Sequence, residues 1–310
     1  MILEIKNLIK RYNDFLAVDH VNLSVKEGEI FGLLGPNGAG KTTTISMVTG
    51  LTKYDGGEIR IFGKNLAKNE LEIKKDIGVV PQDIALFEDL TAYENVTFFG
   101  KLFGLKDGLL KERVEEALNF TGLWDRRKDL PKKFSGGMKR RLNIACAIAH
   151  HPKLIIMDEP TVGIDPQSRN HILQSVKELN RMGSTIIYTS HYMEEVEELC
   201  SRIVIMDHGR VIAQGTKDEL KALIAFEEKV VIDLSSVNFT IIDNIKKLSG
   251  VKDCIVNGNQ LKVISQKNSK NLSDIIECIS DADAEILSLN AEKPTLEGVF
   301  LTLTGRSLRD

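Results

Sequence analysis

Residues 35–42 read Gly35-Pro36-Asn37-Gly38-Ala39-Gly40-Lys41-Thr42, with Thr43 next. This is the spacing of a phosphate-binding loop: glycines let successive backbone N–H groups converge on phosphate oxygens, and a following helix adds its dipole. In such a loop Lys41 reaches the β- and γ-phosphates of a nucleotide, and the Thr42 hydroxyl binds Mg²⁺. Farther on, the apolar run Leu154–Met157 ends in Asp158-Glu159-Pro160. A carboxylate at the end of a buried strand beside a phosphate loop suits a magnesium ligand, which assigns Asp158 to the metal. Glu159 is placed to polarise an attacking water as general base. The chemistry implied is hydrolysis of a nucleoside triphosphate.

These groups need a scaffold, and the flanking sequence supplies one. Ile30–Leu34 is an apolar run leading into the loop, and a helix should follow from Lys41 and stop at Gly50. Leu3–Leu8 and Val21–Val25 read as further strands. Leu154–Met157 and Ser184–Tyr188 lack polar alternation, as expected of parallel strands buried on both faces. Between them, Asp165-Pro166 gives an N-cap followed by proline at the first helical position, and Gly183 closes that helix. Strand, helix and strand in this order define an α/β domain. Thr91 and Glu94 have capping-box spacing, so another helix should begin at about Ala92. Phe87, Tyr93, Phe98, Phe99 and Phe103 cluster around it. Most of these rings are expected to fill the core of a helical subdomain, and one or two to line a groove that receives a helix of another subunit.

Composition changes along the 310 residues. Of 24 glycines, 20 precede Phe226, and of 7 prolines only Pro294 follows it. We therefore divide the chain into residues 1–226 and 227–310. In the second part Lys229–Leu234 reads as a strand and Ile241–Leu248 as a helix. Val251–Val256 and Leu261–Ile264 form a hairpin around Asn257-Gly258, followed by a helix over Leu272–Ile279 and a strand over Glu285–Leu289. That β-α-β-β-α-β order is ferredoxin-like.

The 41 Lys+Arg and 44 Asp+Glu leave a net charge of −3, which excludes nucleic-acid binding driven by bulk positive charge. The first part balances at 31 of each sign, and the second holds 10 basic against 13 acidic residues. No apolar run approaches the ~18 residues of a membrane span. The N-terminus MILEIKNLIK lacks a signal peptide's continuous apolar stretch. Cys146, Cys200, Cys254 and Cys278 are widely spaced without a CxxC pair, pointing to reduced thiols and a cytoplasmic location.

Between the phosphate loop and Asp158 lies Phe134-Ser135-Gly136-Gly137-Met138. With that short signature in place, the sequence resembles the nucleotide-binding subunits of ABC transporters. The resemblance implies a P-loop NTPase cassette of α/β class, with a mixed sheet core, an antiparallel β subdomain and an α-helical subdomain. The ferredoxin-like C-terminal domain would be an accessory or regulatory addition. It also implies ATP as the nucleotide, and a second copy of the chain whose Ser135, Gly136 and Gly137 close over the γ-phosphate. Other positions match the family in order. Gln82 resembles the glutamine that contacts magnesium and the catalytic water, and Asp165 the aspartate that communicates across the dimer. His191 resembles the switch histidine at the γ-phosphate, and Tyr12 the ring stacked on adenine.

Phe134 and Met138 replace the leucine and glutamine commoner in the signature. Methionine there is similar to the drug- and antibiotic-exporter (ABC-2 type) branch, as is the segment Lys293–Phe300. The expected protein is therefore an ATPase subunit that docks on a separate integral membrane permease and drives export. It would sit at the inner face of the cell membrane through that partner, with no direct insertion and no nucleic acid. An importer subunit with a regulatory tail is the alternative. A non-transport ABC ATPase fits less well: only 94 residues separate Lys41 from Gly136, and they carry no sustained heptads for a coiled coil.

Overall fold

A computed structural model describes residues 1–190, 192–224, 227–282, 284–292 and 294–305. Met1–Lys217 together with the chain from Leu303 forms one compact unit and Asp218–Thr302 a second. The compositional boundary at residue 226 falls outside the described residues.

In the first unit, β1 (Leu3–Tyr12) and β2 (Phe15–Val25) form a long hairpin. It is followed by β3 (Ile30–Leu34), α1 (Lys41–Val48), β4 (Gly56–Ile61), the two-residue β5 (Lys64–Asn65), α2 (Leu66–Lys74) and β6 (Ile77–Val80). Then come α3 (Ala92–Leu102), α4 (Asp107–Phe120), α5 (Gly136–Ile148), β7 (Leu154–Met157), α6 (Pro166–Arg181), β8 (Thr185–Tyr188), α7 (Met193–Leu199), β9 (Arg202–Asp207) and β10 (Arg210–Thr216). A six-stranded sheet runs β10-β9-β3-β8-β7-β6, parallel except for the β9–β10 pair. Every residue of β3, β7 and β8 is buried, which is why these strands lack polar alternation. A separate antiparallel sheet runs β2-β1-β4-β5.

Both strands of the β1–β2 hairpin are longer than the sequence suggests. Residues 9–12 are Ile-Lys-Arg-Tyr and residues 15–20 Phe-Leu-Ala-Val-Asp-His, neither stretch alternating strictly, and the β1–β2 register shifts between Ile5 and Leu8 and again before Lys10. Bulges of this kind interrupt the period-2 pattern that marks a strand.

Helix α3 starts where its capping box requires. The Thr91 side chain accepts from Glu94 N, and Glu94 Oε2 accepts from Thr91 N. Its core is a different one from that expected, however. Not one of Phe87, Tyr93, Phe98, Phe99 and Phe103 is buried, and Phe87 and Phe98 are nearly half exposed. The buried positions are Ala92, Val96 and Gly100 of α3 with Leu110, Val114 and Leu118 of α4. Tyr93, Phe99 and Phe103 are half-buried at the edge of that face, Phe103 stacked on His150, and Phe98 makes edge-on contacts with Phe87 and Phe99.

Asn95 fixes the segment leading into α3. It is fully buried, its Nδ2 lies 3.0 Å from the carbonyl oxygens of Phe87, Leu90 and Thr91, and its Oδ1 accepts from Phe87 N. Asn95→Ala takes the partner from Phe87 N–H and the Leu90 carbonyl, while the Phe87 and Thr91 carbonyls keep bonds from Leu90 N and Asn95 N; the cost is about 1–3 kcal/mol. The expected result is a thermal unfolding midpoint lowered by several degrees, measurable by circular dichroism.

Helix α8 (Lys217–Ala222) leads into the second unit. Its elements are β11 (Glu227–Leu234), α9 (Phe239–Lys247), β12 (Val251–Asn257), β13 (Gln260–Gln266), α10 (Leu272–Ser280), β14 (Ile286–Glu292) and α11 (Leu296–Thr304). The all-antiparallel sheet runs β12-β13-β11-β14, the ferredoxin-like arrangement. Val230, Ile232 and Leu234 of β11 pack with Ile241 and Ile245 of α9 and Ile275 and Ile279 of α10. Among the described residues no helix is long and apolar enough to cross a membrane. The four cysteines are free, and all but Cys278 are buried.

Candidate nucleotide site

The loop at residues 35–40 joins β3 to α1 at the C-terminal edge of the parallel strands. Gly40 occupies the left-handed region at φ 97°, and a Cβ there would lie 2.6 Å from the Ala17 carbonyl oxygen. Only glycine fits both demands. No side chain caps α1, and its first turn carries no acidic residue, so its leading N–H groups and dipole are left for an anion. The Lys41 side chain is buried, with Nζ donating to Gly35 O at 2.6 Å and Pro36 O at 3.1 Å. Burial lowers the Lys41 pKa, while the nearby Glu159 and Asp158 carboxylates oppose that shift.

Asp158 and Glu159 leave the end of β7, each only 5% exposed. Burial raises the Asp158 pKa, opposed by a hydrogen bond from Thr189, by the Lys41 charge and by the Thr42 hydroxyl. Thr189 fixes the pair together: its hydroxyl donates to Asp158 Oδ1 at 2.7 Å and accepts from Glu159 N at 2.8 Å. Gln82 arrives from the end of β6, and its Nε2 donates to Glu159 Oε2 at 3.0 Å. Glu159 holds φ 49° immediately before Pro160. The left-handed region is costly for a non-glycine residue, more so before proline, and such strain marks a position fixed by its surroundings.

These groups meet at a cleft of about 230 Å³, lined by residues 37–43, Gln82, Glu159, Ala17, Tyr12 and Phe15. Tyr12 ends β1 and Phe15 begins β2, so the two rings flank the hairpin turn. They are 48% and 63% exposed, and Lys10 Nζ lies 5.3 Å from the Tyr12 ring centroid. A polar, phosphate-sized cradle with two exposed rings at its mouth is chemically matched to a nucleotide.

The remaining sequence candidates lie elsewhere. Ser135 caps α5, its Oγ accepting from Met138 N at 3.3 Å. Ser135 and Gly136 are exposed, and none of Ser135, Gly136 and Gly137 lines the cleft. Gly137 is buried because α6 crosses there: a Cβ on it would lie 2.2 Å from Ser168 Oγ. Asp165 caps α6 by accepting from Ser168 N at 2.9 Å, a bond that lowers its pKa, and it too is exposed. His191 lies outside the described residues.

Sequence reasoning missed three residues here. Phe15 gave no signal apart from its neighbour Tyr12. Thr189 was accessible through register: β7 and β8 pair in parallel with Met157 opposite Tyr188, which brings the next residues, Asp158 and Thr189, side by side. Glu195, from α7, is buried and accepts from Thr161, Tyr188 and Ser190 at 2.6–2.9 Å. Its other oxygen is 2.6 Å from Arg169 Nε. One carboxylate thus ties the segment after Glu159 to the residue before His191.

The sequence pattern of the ABC transporter family matches residues 18–162. The linearmycin resistance ATP-binding protein LnrL of Bacillus subtilis is 48% identical, with 100% of each chain covered. The daunorubicin/doxorubicin resistance ATP-binding protein DrrA of Streptomyces peucetius is 43% identical over 71% of this chain and 67% of its own. Among solved structures, the ATP-binding subunit of an ABC transporter aligns with a TM-score of 0.67 at 33% identity, covering 72% of this chain and 93% of its own. A dimeric ATP-binding cassette in a post-hydrolysis state with ADP and Pi aligns with a TM-score of 0.64 at 30% identity, covering 69% of this chain and 98% of its own. A complete phosphate loop, the adjoining carboxylate pair and end-to-end likeness to such proteins lead to one conclusion: the chain belongs to the ABC transporter family, as one of its ATP-binding ATPase subunits.

Proposed function

We propose that this chain powers export of a drug- or antibiotic-like compound through a separate membrane permease. The observation that carries this reading is the 48% identity to a linearmycin resistance ATP-binding protein over the whole of both chains. In this reading residues 1–226 bind and hydrolyse ATP, and residues 227–310 are an accessory domain. The chain works at the cytoplasmic face of the membrane, held there by its permease.

The residues fit Mg²⁺ bound together with ATP. Among the described residues no three His, Cys, Asp or Glu side chains cluster around a possible metal. Magnesium commonly takes one carboxylate, a hydroxyl and phosphate oxygens rather than an all-protein cage, and Thr42 at the loop lies near enough to Asp158 to help lower its pKa. Asp158, Thr42 and Gln82 would hold the ion, whose role is to neutralise charge on the β- and γ-phosphates. Loop amides and Lys41 bind the phosphates, Glu159 accepts a proton from the attacking water, and Gln82 orients both. His191 would contact the γ-phosphate.

Ser135, Gly136 and Asp165 are exposed, and with the buried Gly137 they lie off the cleft, which suits a homodimer in which each copy's signature closes over its partner's ATP. The permease has a candidate seat beside Gln82. An apolar groove of about 160 Å³ is lined there by Pro81, Ala85, Phe99, Leu102 and Phe103 among others, wide enough for side chains of a docking helix.

Adenine stacking on Tyr12 has a measurable consequence. Tyr12→Ala should raise the KM for ATP by roughly 5- to 150-fold, equivalent to about 1–3 kcal/mol, with kcat little changed. Tyr12→Trp should retain the wild-type KM, and Phe15→Ala in the same titration shows which ring carries the base. The broader reading is tested by purifying the tagged chain from detergent-solubilised membranes. A polytopic membrane protein should co-purify, and deletion should sensitise cells to antibiotics. A chain found with ribosomes or DNA instead would contradict transport.

A further inference from the structure

Three consecutive basic residues follow the signature on α5, and their side chains go to different places. Lys139 reaches Glu88 at 3.0 Å, and Arg141 donates to Thr121 O at 2.9 Å. Arg140, one turn beyond Gly136 and Gly137, is buried and turns back to the Gln82 segment. Its Nη1 donates to Pro81 O and its Nη2 to Gln82 O, both at 2.6 Å. We infer that Arg140 is a positioning residue for hydrolysis, a clamp through which movement of Ser135–Gly137 is passed to Gln82 and so to Glu159.

Successive carbonyls of an extended strand point to opposite sides. For Pro81 and Gln82 to present theirs to one guanidinium, the chain must leave strand geometry after Val80, where β6 ends. A planar fork with two parallel donors fixes both carbonyls at once, which a single-point donor does not. The Gln82 segment is then held on three sides. Val80 O accepts from Asp158 N at 2.9 Å, Arg140 holds the carbonyls of residues 81 and 82, and the Gln82 side chain donates to Glu159 Oε2 at 3.0 Å.

Arg140 Nε has no hydrogen-bond partner among the described residues. A buried guanidinium with an unpaired N–H is a poor way to fill space, since an apolar side chain of similar length would carry no such cost. Its place in the fold is instead explained by what its two terminal nitrogens hold. Because α5 begins at the signature and carries Arg140 in its second turn, a shift of this helix pulls directly on the Gln82 backbone. Engagement of Ser135–Gly137 with nucleotide would thereby set the Gln82–Glu159 hydrogen bond.

This inference rests on the assignment of Glu159 and Gln82 to hydrolysis. The test uses the full-length chain with Arg140→Met, Arg140→Lys, Gln82→Ala and the Arg140→Met/Gln82→Ala double variant. ATP binding is followed with a fluorescent ATP analogue, turnover by phosphate release, and folding by thermal melts. Arg140→Met should lower kcat by roughly 10- to 100-fold, the scale of a small misplacement at a reacting centre, with ATP affinity held within about threefold of wild type. Arg140→Lys, which keeps a charged donor, should recover part of that loss. The double variant should be no slower than the slower single variant, because both changes break one chain of contacts. Wild-type kcat in Arg140→Met would overturn the clamp while leaving the ATPase assignment standing, as would a double variant whose losses multiply. A parallel fall of affinity, kcat and melting midpoint, with Arg140→Lys no better than Arg140→Met, would show a merely structural role and overturn it as well. A wild-type chain that released no phosphate would overturn both readings.

Discussion

Glu159→Gln should bind ATP at least as well as the wild-type chain and hydrolyse it some 10²- to 10⁴-fold more slowly, the range lost when a general base is removed. The substitution is nearly isosteric, so the surroundings of residue 159 persist. The amide oxygen of glutamine can still accept from Gln82 Nε2, and the bond to Thr189 is made by the backbone N–H. What disappears is the ability to take a proton from water. One negative charge beside buried Lys41 is also lost, but Asp158 remains to balance it. Phosphate release and nucleotide affinity, measured on one preparation, separate these effects.

Lys41→Ala should act on binding first. A hydrogen bond to a charged group contributes about 1.5–3 kcal/mol, so ATP affinity should fall by roughly 10- to 150-fold, and hydrolysis with it. The change also removes the donor to the carbonyls of Gly35 and Pro36, so the loop loses its internal tie. Lys41→Arg should not rescue binding: a wide planar guanidinium does not fit where a compact ammonium sits between two loop carbonyls. Titration with a fluorescent ATP analogue checks both variants. Wild-type affinity in Lys41→Ala would remove the loop from the nucleotide site.

How far sequence alone reaches is plain from which residues depend on local chemistry. The phosphate loop, Asp158-Glu159, the Thr91/Glu94 capping box and the Asp165-Pro166 cap are each set within a few residues, and each was legible. The ferredoxin-like order of the second unit was legible too, because its strands and helices are short, amphipathic and separated by turn residues. The antiparallel sheet β2-β1-β4-β5 was not. Leu3–Leu8 and Val21–Val25 read as strands, but the bulged remainder of the hairpin does not, and the β1–β4 pairing joins segments some fifty residues apart.

The aromatic cluster after Gln82 misled for a physical reason. Ring count suggests a core, yet Ala92, Val96 and Gly100 take the buried face of α3, leaving Phe87 and Phe98 exposed and Tyr93, Phe99 and Phe103 half-buried. Thr189 and Arg140 were invisible as motifs because each acts across strands or helices brought together only by the fold. The strained backbone of Glu159, left-handed before a proline, runs against local preference and could not have been expected from its neighbours.

The central claim, that this site cleaves ATP with Glu159 as base, is tested most directly by identifying the nucleotide left in the protein after turnover. Wild-type and Glu159→Gln chains are incubated with ATP and Mg²⁺, separated from free nucleotide, and their bound nucleotide extracted and chromatographed. ADP from the wild-type chain and intact ATP from Glu159→Gln are the predicted results. ADP accumulating in Glu159→Gln at the wild-type rate would contradict the account.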